Sequence, residues 1–338
     1  MSEIRSILVA TDFSDAAGKA VRRASLIARD HGARLVALNV LEIPPEGLKG
    51  MGADPGEVAT WFAEQLAREA GAAADRVGVE AEMATAFGKA FVEIVRKSRE
   101  TGADLIVLGS HGESGWREDL LGATADRVVR KGDRPVLVVK RAATRPYARV
   151  LVGVDFSEHS RRALEAAAAL TASSPATEAP DRDGGGRREG RSKSTRGRAG
   201  GGRASGTDVR SELHVLHVYG SLSQITLGRA ALGGLVPTSA ARSAAAEELE
   251  RAREAMDALL AEVDTRGRSV EVHFREGSPM QEILRVTRTL RPGLLALGTH
   301  GRSGIPHVLF GSVAEAITRR AACDVLLVRR GTPVFSLP

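Results

Sequence analysis
The stretch Leu294-Leu295-Ala296-Leu297-Gly298-Thr299-His300-Gly301, followed after nine residues by Gly311-Ser312-Val313-Ala314-Glu315-Ala316-Ile317, decides how this chain folds. A short apolar run reads as a buried strand, and the apolar spacing after Ser312 reads as a helix. A strand that ends in glycines and feeds a helix N-terminus suits phosphate, because the first helical N–H groups have no intrahelical partner. Gly298 and Gly301 would permit a tight, positive-φ turn and let phosphate oxygens reach backbone N–H groups. Gly311 would open the helix, and Ser312 would add a hydroxyl for a phosphate or a metal-bound water. Arg302 stands beside the loop, either neutralising phosphate or simply solvated.

The same layout occurs earlier, as Leu105-Ile106-Val107-Leu108, then Gly109-Ser110-His111-Gly112, then nine residues and Gly122. Ala123 stands where the later copy has Ser312, and Thr124 offers a hydroxyl one residue later. Other segments also recur. Ser6–Ser14 aligns with Arg149–Ser157 at an offset of 143, and Arg34–Val40 aligns with Glu212–Val218 at an offset of 178. From Gly88 and Gly277 onward the offset is 189. The chain is therefore a tandem repeat. The second copy carries a 35-residue insertion, roughly Ser173 to Asp208, and 11 further residues around Ser221–Pro237. Domain boundaries fall at 1–142 and 147–331, the second interrupted by the insert at 173–208.

Within the first copy the pattern alternates strand and helix. Apolar runs predict strands at 7–10, 34–41, 79–84, 105–108 and 136–139. Amphipathic spacing predicts helices at 14–31, from Pro55 to Gly71 or a little beyond, at 90–101 and at 124–131. Continuous apolar strands separated by helices imply a parallel sheet covered on both faces, so each copy is an α/β open sandwich with five parallel strands. In such sheets ligands bind beyond the carboxyl ends of the strands, at a topological switch point.

Composition narrows the classes further. The 338 residues suit two domains, and aromatics are only 4%. One cysteine, Cys323, excludes an internal disulfide and a multi-cysteine metal site and fits a reducing compartment. The apolar start is broken by Thr11 and Asp12, unlike a signal peptide, and no apolar run matches a membrane span, so the expected location is cytoplasmic. The net charge of +6 is largely local: residues 181–203 hold eight Arg or Lys against three acids, leaving the remainder near neutral. That insert lacks apolar periodicity, and disorder is expected there. It has no aromatic residue for base stacking, so a linker outweighs a nucleic-acid tail.

Asp12 and Asp155 each close a first strand, within reach of a ribose hydroxyl or a base amine. The plainer alternative makes them helix N-caps, a role Ser14 and Ser157 share. Recurrence with the glycine loop favours ligand contact. His111 and His300 occupy one position in the two loops, but no other ligand or nucleophile stands at a useful spacing, so their backbone matters more than their rings. Cys323 is read as a packing residue.

The pattern Gly-x2-Gly-x9-Gly-Ser at 298–312, with an Asp closing the first strand, resembles the universal stress protein family, and the whole chain resembles its tandem-domain form. The resemblance implies binding of ATP, and Mg2+ is an optional companion that Ser312 would help to hold. Asp155 would meet ribose or adenine, Val218 would meet the base through its backbone, and Gly298, Gly301, Gly311, Ser312 and Val313 would line the phosphates. The first-copy counterparts are Asp12, Val40, Gly109, Gly112 and Gly122. The resemblance also implies pairing of the two copies through their fifth strands, with homodimers a further option. Losing the Ser312 hydroxyl at Ala123, and having Glu113, Glu118 and Asp119 in the first loop, would make the second copy the stronger site. The expected role is a stress-response sensor or regulatory module with at most slow ATP hydrolysis. The alternatives are an adenylyl-transferring enzyme on a related fold and a nucleotide-independent scaffold.

Overall fold
The computed structural model describes residues 3–110, 121–171, 211–220, 238–299 and 311–329. The insert, the 221–237 connection and the two glycine loops, with His111, Gly112, His300, Gly301 and Arg302, lie outside the described residues. The first half runs β1 (Ser6–Thr11), α1 (Asp15–His31), β2 (Arg34–Leu41), α2 (Pro45–Gly50), α3 (Pro55–Leu66), a π-turn (Ala67–Gly71) and α4 (Ala72–Asp75). It continues with β3 (Ala81–Phe87), α5 (Ala90–Glu100), β4 (Leu105–Gly109), α6 (Ala123–Lys131) and β5 (Val136–Val139). The second half runs β6 (Arg149–Val154), α7 (Glu158–Leu170), β7 (Glu212–Tyr219), α8 (Thr238–Glu262) and β8 (Val270–Glu276). It ends with α9 (Pro279–Leu290), β9 (Leu294–Gly298), α10 (Ser312–Arg320) and β10 (Asp324–Val328).

Alternation along each strand builds two apolar layers. Ile7, Val9, Leu35, Ala37, Leu105 and Val107 face one side, where α1, α3 and α4 cover them. Leu8, Val36, Leu38, Ile106 and Leu108 face the other, beneath α5 and α6. Side chains successive along a strand point to opposite faces, so a strand buried on both sides must be apolar throughout. Helix α1 shows how local sequence sets an element's limits. The Ser14 hydroxyl caps its start by accepting from the Ala17 N–H, and Gly32, at φ 61°, closes it in the left-handed conformation.

All ten strands form one sheet in the order β3-β2-β1-β4-β5-β10-β9-β6-β7-β8. Among the described residues, pairing within each half is parallel, and the only antiparallel pair is β5 with β10. In that pair Leu137 faces Leu326, its own counterpart in the repeat, so a pseudo-twofold axis passes between them. Cations just beyond each strand reach across this axis. Lys140 Nζ donates to the Ala321 carbonyl at 2.7 Å, and the Arg329 guanidinium donates to the Arg130 carbonyl. Each thus sits at the negative end of the other half's last helix.

Three expectations shift. The single helix from Pro55 is divided by a π-turn, which carries Ala70, Ala73 and Ala74 onto the core. Strand β3 extends to Phe87 because it stays in register with β2 as far as Leu41, and Gly88 at φ 138° ends it. Helix α2 was not anticipated; proline at its start and buried Leu48 hold only 6 residues.

Candidate functional site
The strand order places the two candidate sites. In the first half the chain moves outward from β1 through β2 to β3, then returns to the other side of β1 with β4. The crevice between β1 and β4 is the switch point, and β6 with β9 repeats it. Asp12 and Asp155 leave the first strand of each pair, while Gly109 and Gly298 end the second. Val40 and Val218 lie one step beyond the last rung joining β2 to β1 and β7 to β6.

The aspartates are built alike. Asp155 Oδ1 accepts from the Ser157 N–H at 3.1 Å and the Ser157 hydroxyl at 2.6 Å; Asp12 accepts from Ser14 at the same two distances. The serine, not the aspartate, caps the helix, since its Oγ accepts from the Ser160 N–H in one half and the Ala17 N–H in the other. The capping role is therefore filled, and it fixes one carboxylate oxygen. Asp12 is exposed and Asp155 half-buried.

Glycine at the strand ends has a different reason from the one expected. Gly298 is absent from the positive-φ residues. A Cβ there would lie 2.8 Å from the carbonyl carbon of His159 and 2.9 Å from the Ser160 nitrogen. Gly109 would meet Ala16 and Ala17 in the same way, at 2.8 and 2.9 Å. Both glycines let the first turn of α1 or α7 press against the strand. What they supply to the site is the close approach of a helix start to a strand end.

Matching backbone hydrogen bonds join Ser110 to Gly122 and Thr299 to Gly311. Ser110 and Thr299 donate their N–H groups to Val139 and Val328, and their carbonyls accept from the Gly122 and Gly311 N–H groups at 2.7 Å. Gly122 and Gly311 then act as N-caps with no side-chain hydrogen bond. Among the described residues, the leading N–H groups of α6 and α10 have neither an intrahelical partner nor a capping side chain. Ser312 is exposed at the first position of α10, Ala123 is exposed at the same position of α6, and Thr124 follows half-buried. The half-buried Val313 side chain packs on the same core cluster as those of Val40 and Val218.

Two features were missed from the sequence. Phe13 and Phe156, directly after each aspartate, adopt φ 65° and 62°. A bulky residue in this region stores backbone strain of order 1–3 kcal/mol, which the surrounding structure must hold. The Phe156 ring lies 4.3 Å from that of His217, and Phe13 stacks 6.1 Å from Phe62. The second feature is a matched donor on the neighbouring strand. Asn39 Nδ2 donates to the Thr11 carbonyl at 2.9 Å, and His217 Nδ1 lies 2.9 Å from the Val154 carbonyl. The repeat alignment pairs Asn39 with His217, and a polar residue inside an apolar strand in both copies was the available signal.

Charge differs between the halves. The first turn of α7 carries Glu158, Arg161 and Arg162 where α1 has Asp15, Gly18 and Lys19. Hydrogen bonds from Arg161 and then Arg162 hold the Glu158 carboxyl down at about 2. Cys323 is buried beside this architecture, and burial pushes its thiol up to about 12, leaving a packing group and not a nucleophile.

An α/β sheet that repeats the same five-stranded parallel order on either side of one antiparallel seam defines a tandem, doubly wound class. The chain belongs to the universal stress protein family, which it matches over residues 3–140 and 206–329. The second segment begins beyond β6 and α7, yet the fold places these as counterparts of β1 and α1. The chain is 33% identical over 147 residues to universal stress protein MJ0531 of Methanocaldococcus jannaschii, covering 40% of this chain and 82% of that protein. It is 32% identical over 144 residues to universal stress protein YxiE of Bacillus subtilis, covering 40% of this chain and 97% of the relative. A crystal structure of a universal stress protein from Archaeoglobus fulgidus shares the fold over nearly the whole length. Its TM-score is 0.60 at 21% identity, covering 96% of this chain and 98% of that one. No helix among the described residues is long and apolar enough to cross a membrane.

Proposed function
We propose that the chain is an adenine-nucleotide-binding stress-response protein, with ATP as its ligand and the second half as its stronger site. The observation that carries this is the start of α10, where the N-cap Gly311 has no side chain to bond the helical N–H groups and Ser312 adds an exposed hydroxyl. Such a start favours anions through free donors and the helix dipole together. Asp155, held by Ser157 across the crevice, would accept from a ribose hydroxyl or a base amine, and the Val218 backbone would meet the base. Gly298, Gly301 and Val313 complete the path of the phosphates, and Mg2+ would be met through the Ser312 hydroxyl. The first half offers Asp12, Val40, Gly109, Gly112 and Gly122 in the same places, without the hydroxyl.

A neutral hydroxyl donating to a charged phosphate contributes about 1.5–3 kcal/mol, roughly ten- to a hundredfold in affinity. Titration calorimetry with ATP tests the assignment. Ser312→Ala should weaken the tighter site by that factor, Ala123→Ser should strengthen the weaker one, and Gly301→Asp should cost more than Gly112→Asp. Equal losses from the two aspartate variants would sink the asymmetry. Among the described residues no nucleophile stands beside an oriented base, which favours sensing over turnover. Steady formation of an adenylate with release of pyrophosphate would overturn that part.

The antiparallel β5–β10 pair supports a further part of the reading: one chain makes an internal pair of domains, 1–142 and 147–331. Light scattering during size exclusion would give the mass of one chain if that suffices, and twice that mass if homodimers form.

A further inference from the structure
The first and second halves diverge sharply on β7 and β8, at the sheet margin remote from the carboxyl-end crevices. In the first half Arg34 forms an ion pair with Glu82, while Val36 and Ala84 occupy the same face. The second half keeps the carboxylate as Glu271 but places Glu212, His214 and His273 where the first has Arg34, Val36 and Ala84. A single ion pair has become two imidazoles between two carboxylates.

We propose that His214, Glu271 and His273 form a binding site for a divalent transition-metal ion, with Zn2+ the best match to the donor set. His214 and Glu271 are direct cross-strand partners, and His273 lies two residues further along β8 on the same face. His214 Nδ1 is 3.1 Å from His273 Nε2 and 3.3 Å from Glu271 Oε2, and His273 Nε2 is 3.6 Å from Glu271 Oε1. All three residues can bring one ligand atom within 4.8 Å of the others. Zinc bonds of about 2.0–2.1 Å in tetrahedral geometry separate neighbouring ligands by roughly 3.3–3.4 Å, a spacing close to that of the two imidazole nitrogens and of each nitrogen from its nearer Glu271 oxygen. Glu271 is exposed and gives an ion a route from solvent.

The surroundings are those of a ligand set. The His214 side chain is only 6% exposed, and its Nε2 is buried without a hydrogen-bond partner. Metal on Nδ1 would require the proton on Nε2, which lies 3.7 Å from Glu212 Oε2. A carboxylate behind a ligating histidine is the usual means of fixing its tautomer. Glu212 is itself steadied by Arg149 Nε at 3.3 Å. Joining β7 to the terminal strand β8 would tie down a sheet edge that the first half secures with its arginine.

The test uses the full-length, tag-free chain, freed of metal and without nucleotide, titrated with Zn2+ against a chromophoric chelator. One equivalent should bind. His214→Val and His273→Ala, which import the first half's residues, should each weaken binding at least tenfold, and Glu212→Gln should do so by about tenfold. His300→Ala should leave that equivalent intact. Bound Co2+ should give the intense visible bands of a four-coordinate ion, and His273→Ala should abolish them. Circular dichroism of both histidine variants should match the parent, which separates lost ligation from lost folding. Absence of tight Zn2+ binding, equal affinity in His214→Val and the parent, or loss on His300→Ala would each overturn the site. A histidine-to-histidine hydrogen bond in a metal-free strand pair would then explain the 3.1 Å contact.

Discussion
The two halves share a fold but not a polarity, and the clearest contrast lies where they meet. Position 324 is an aspartate in the second half, whereas its counterpart in the first is Pro135. Asp324 is fully buried, accepts from the backbone of Lys140 and Arg141 at 2.9 and 3.1 Å, and accepts from the Tyr147 hydroxyl at 2.7 Å. Arg23 of α1 completes the cluster, with Nε 3.4 Å from the carboxylate and the guanidinium 3.9 Å over the Tyr147 ring. The counterpart of Arg23 is Ala166. One side of the pseudo-twofold junction is thus a buried ionic cluster, while its mirror image would join an alanine to a proline. The duplicated backbone repeats faithfully where the sheet demands it and diverges where side chains are free to specialise.

Asp324→Asn should break this contrast most strongly. Removing one partner of a buried pair leaves the other charge uncompensated, at a cost of about 3–5 kcal/mol in urea unfolding. Adding Arg23→Ala, the residue of the mirror position, should recover a substantial part. Strict additivity of the two losses would show that the ion pair does not join them.

Gly298→Ala and Gly109→Ala probe what the halves share. Each new Cβ meets helix backbone at 2.8 Å, so each should destabilise by about 1–3 kcal/mol through overpacking. Similar losses would support one structural cause. A loss confined to Gly298→Ala would tie that glycine to something special to the second half.

The smallest expected effect concerns pH. His31 Nε2 lies 3.0 Å from the Leu170 carbonyl, linking α1 to α7, and burial lowers its pKa despite the opposing hydrogen bond. A group whose folded pKa is depressed contributes stability that is present above its unfolded pKa of about 6.5 and lost as pH falls towards the folded value. The His31→Gln variant should therefore lose less stability than the parent between about pH 7 and pH 5. Parallel pH profiles would remove His31 from the junction's energetics.

Much of this architecture was legible in the chain because strands and helices carry their own periods. The offsets of the repeat located β1, β2, β4 and β5 to within a residue, and Ser14 with Gly32 bounded α1. Strand β3 was set too early because its end depends on a partner, β2, and on Gly88, not on its own apolar run. The candidate site was legible as a pattern of Asp, strand-end glycine and helix start, yet two of the reasons for its residues were not. Gly298 looked like a turn glycine, whereas the helix pressed against it explains it. Phe13 and Phe156 gave no local sign of a left-handed backbone.

By itself the sequence determined that the protein is a duplicated α/β chain of the universal stress protein type, because repetition and hydrophobic period are properties of the order of residues. Only the tertiary structure decided how the copies are joined, through β5 and β10 around Leu137 and Leu326, and which side of the junction holds the buried charge. It alone brought His214, Glu271 and His273 together, from two strands separated by a long helix. Contacts of that kind depend on strand register and on the face each residue takes, and neither is written within one segment of chain.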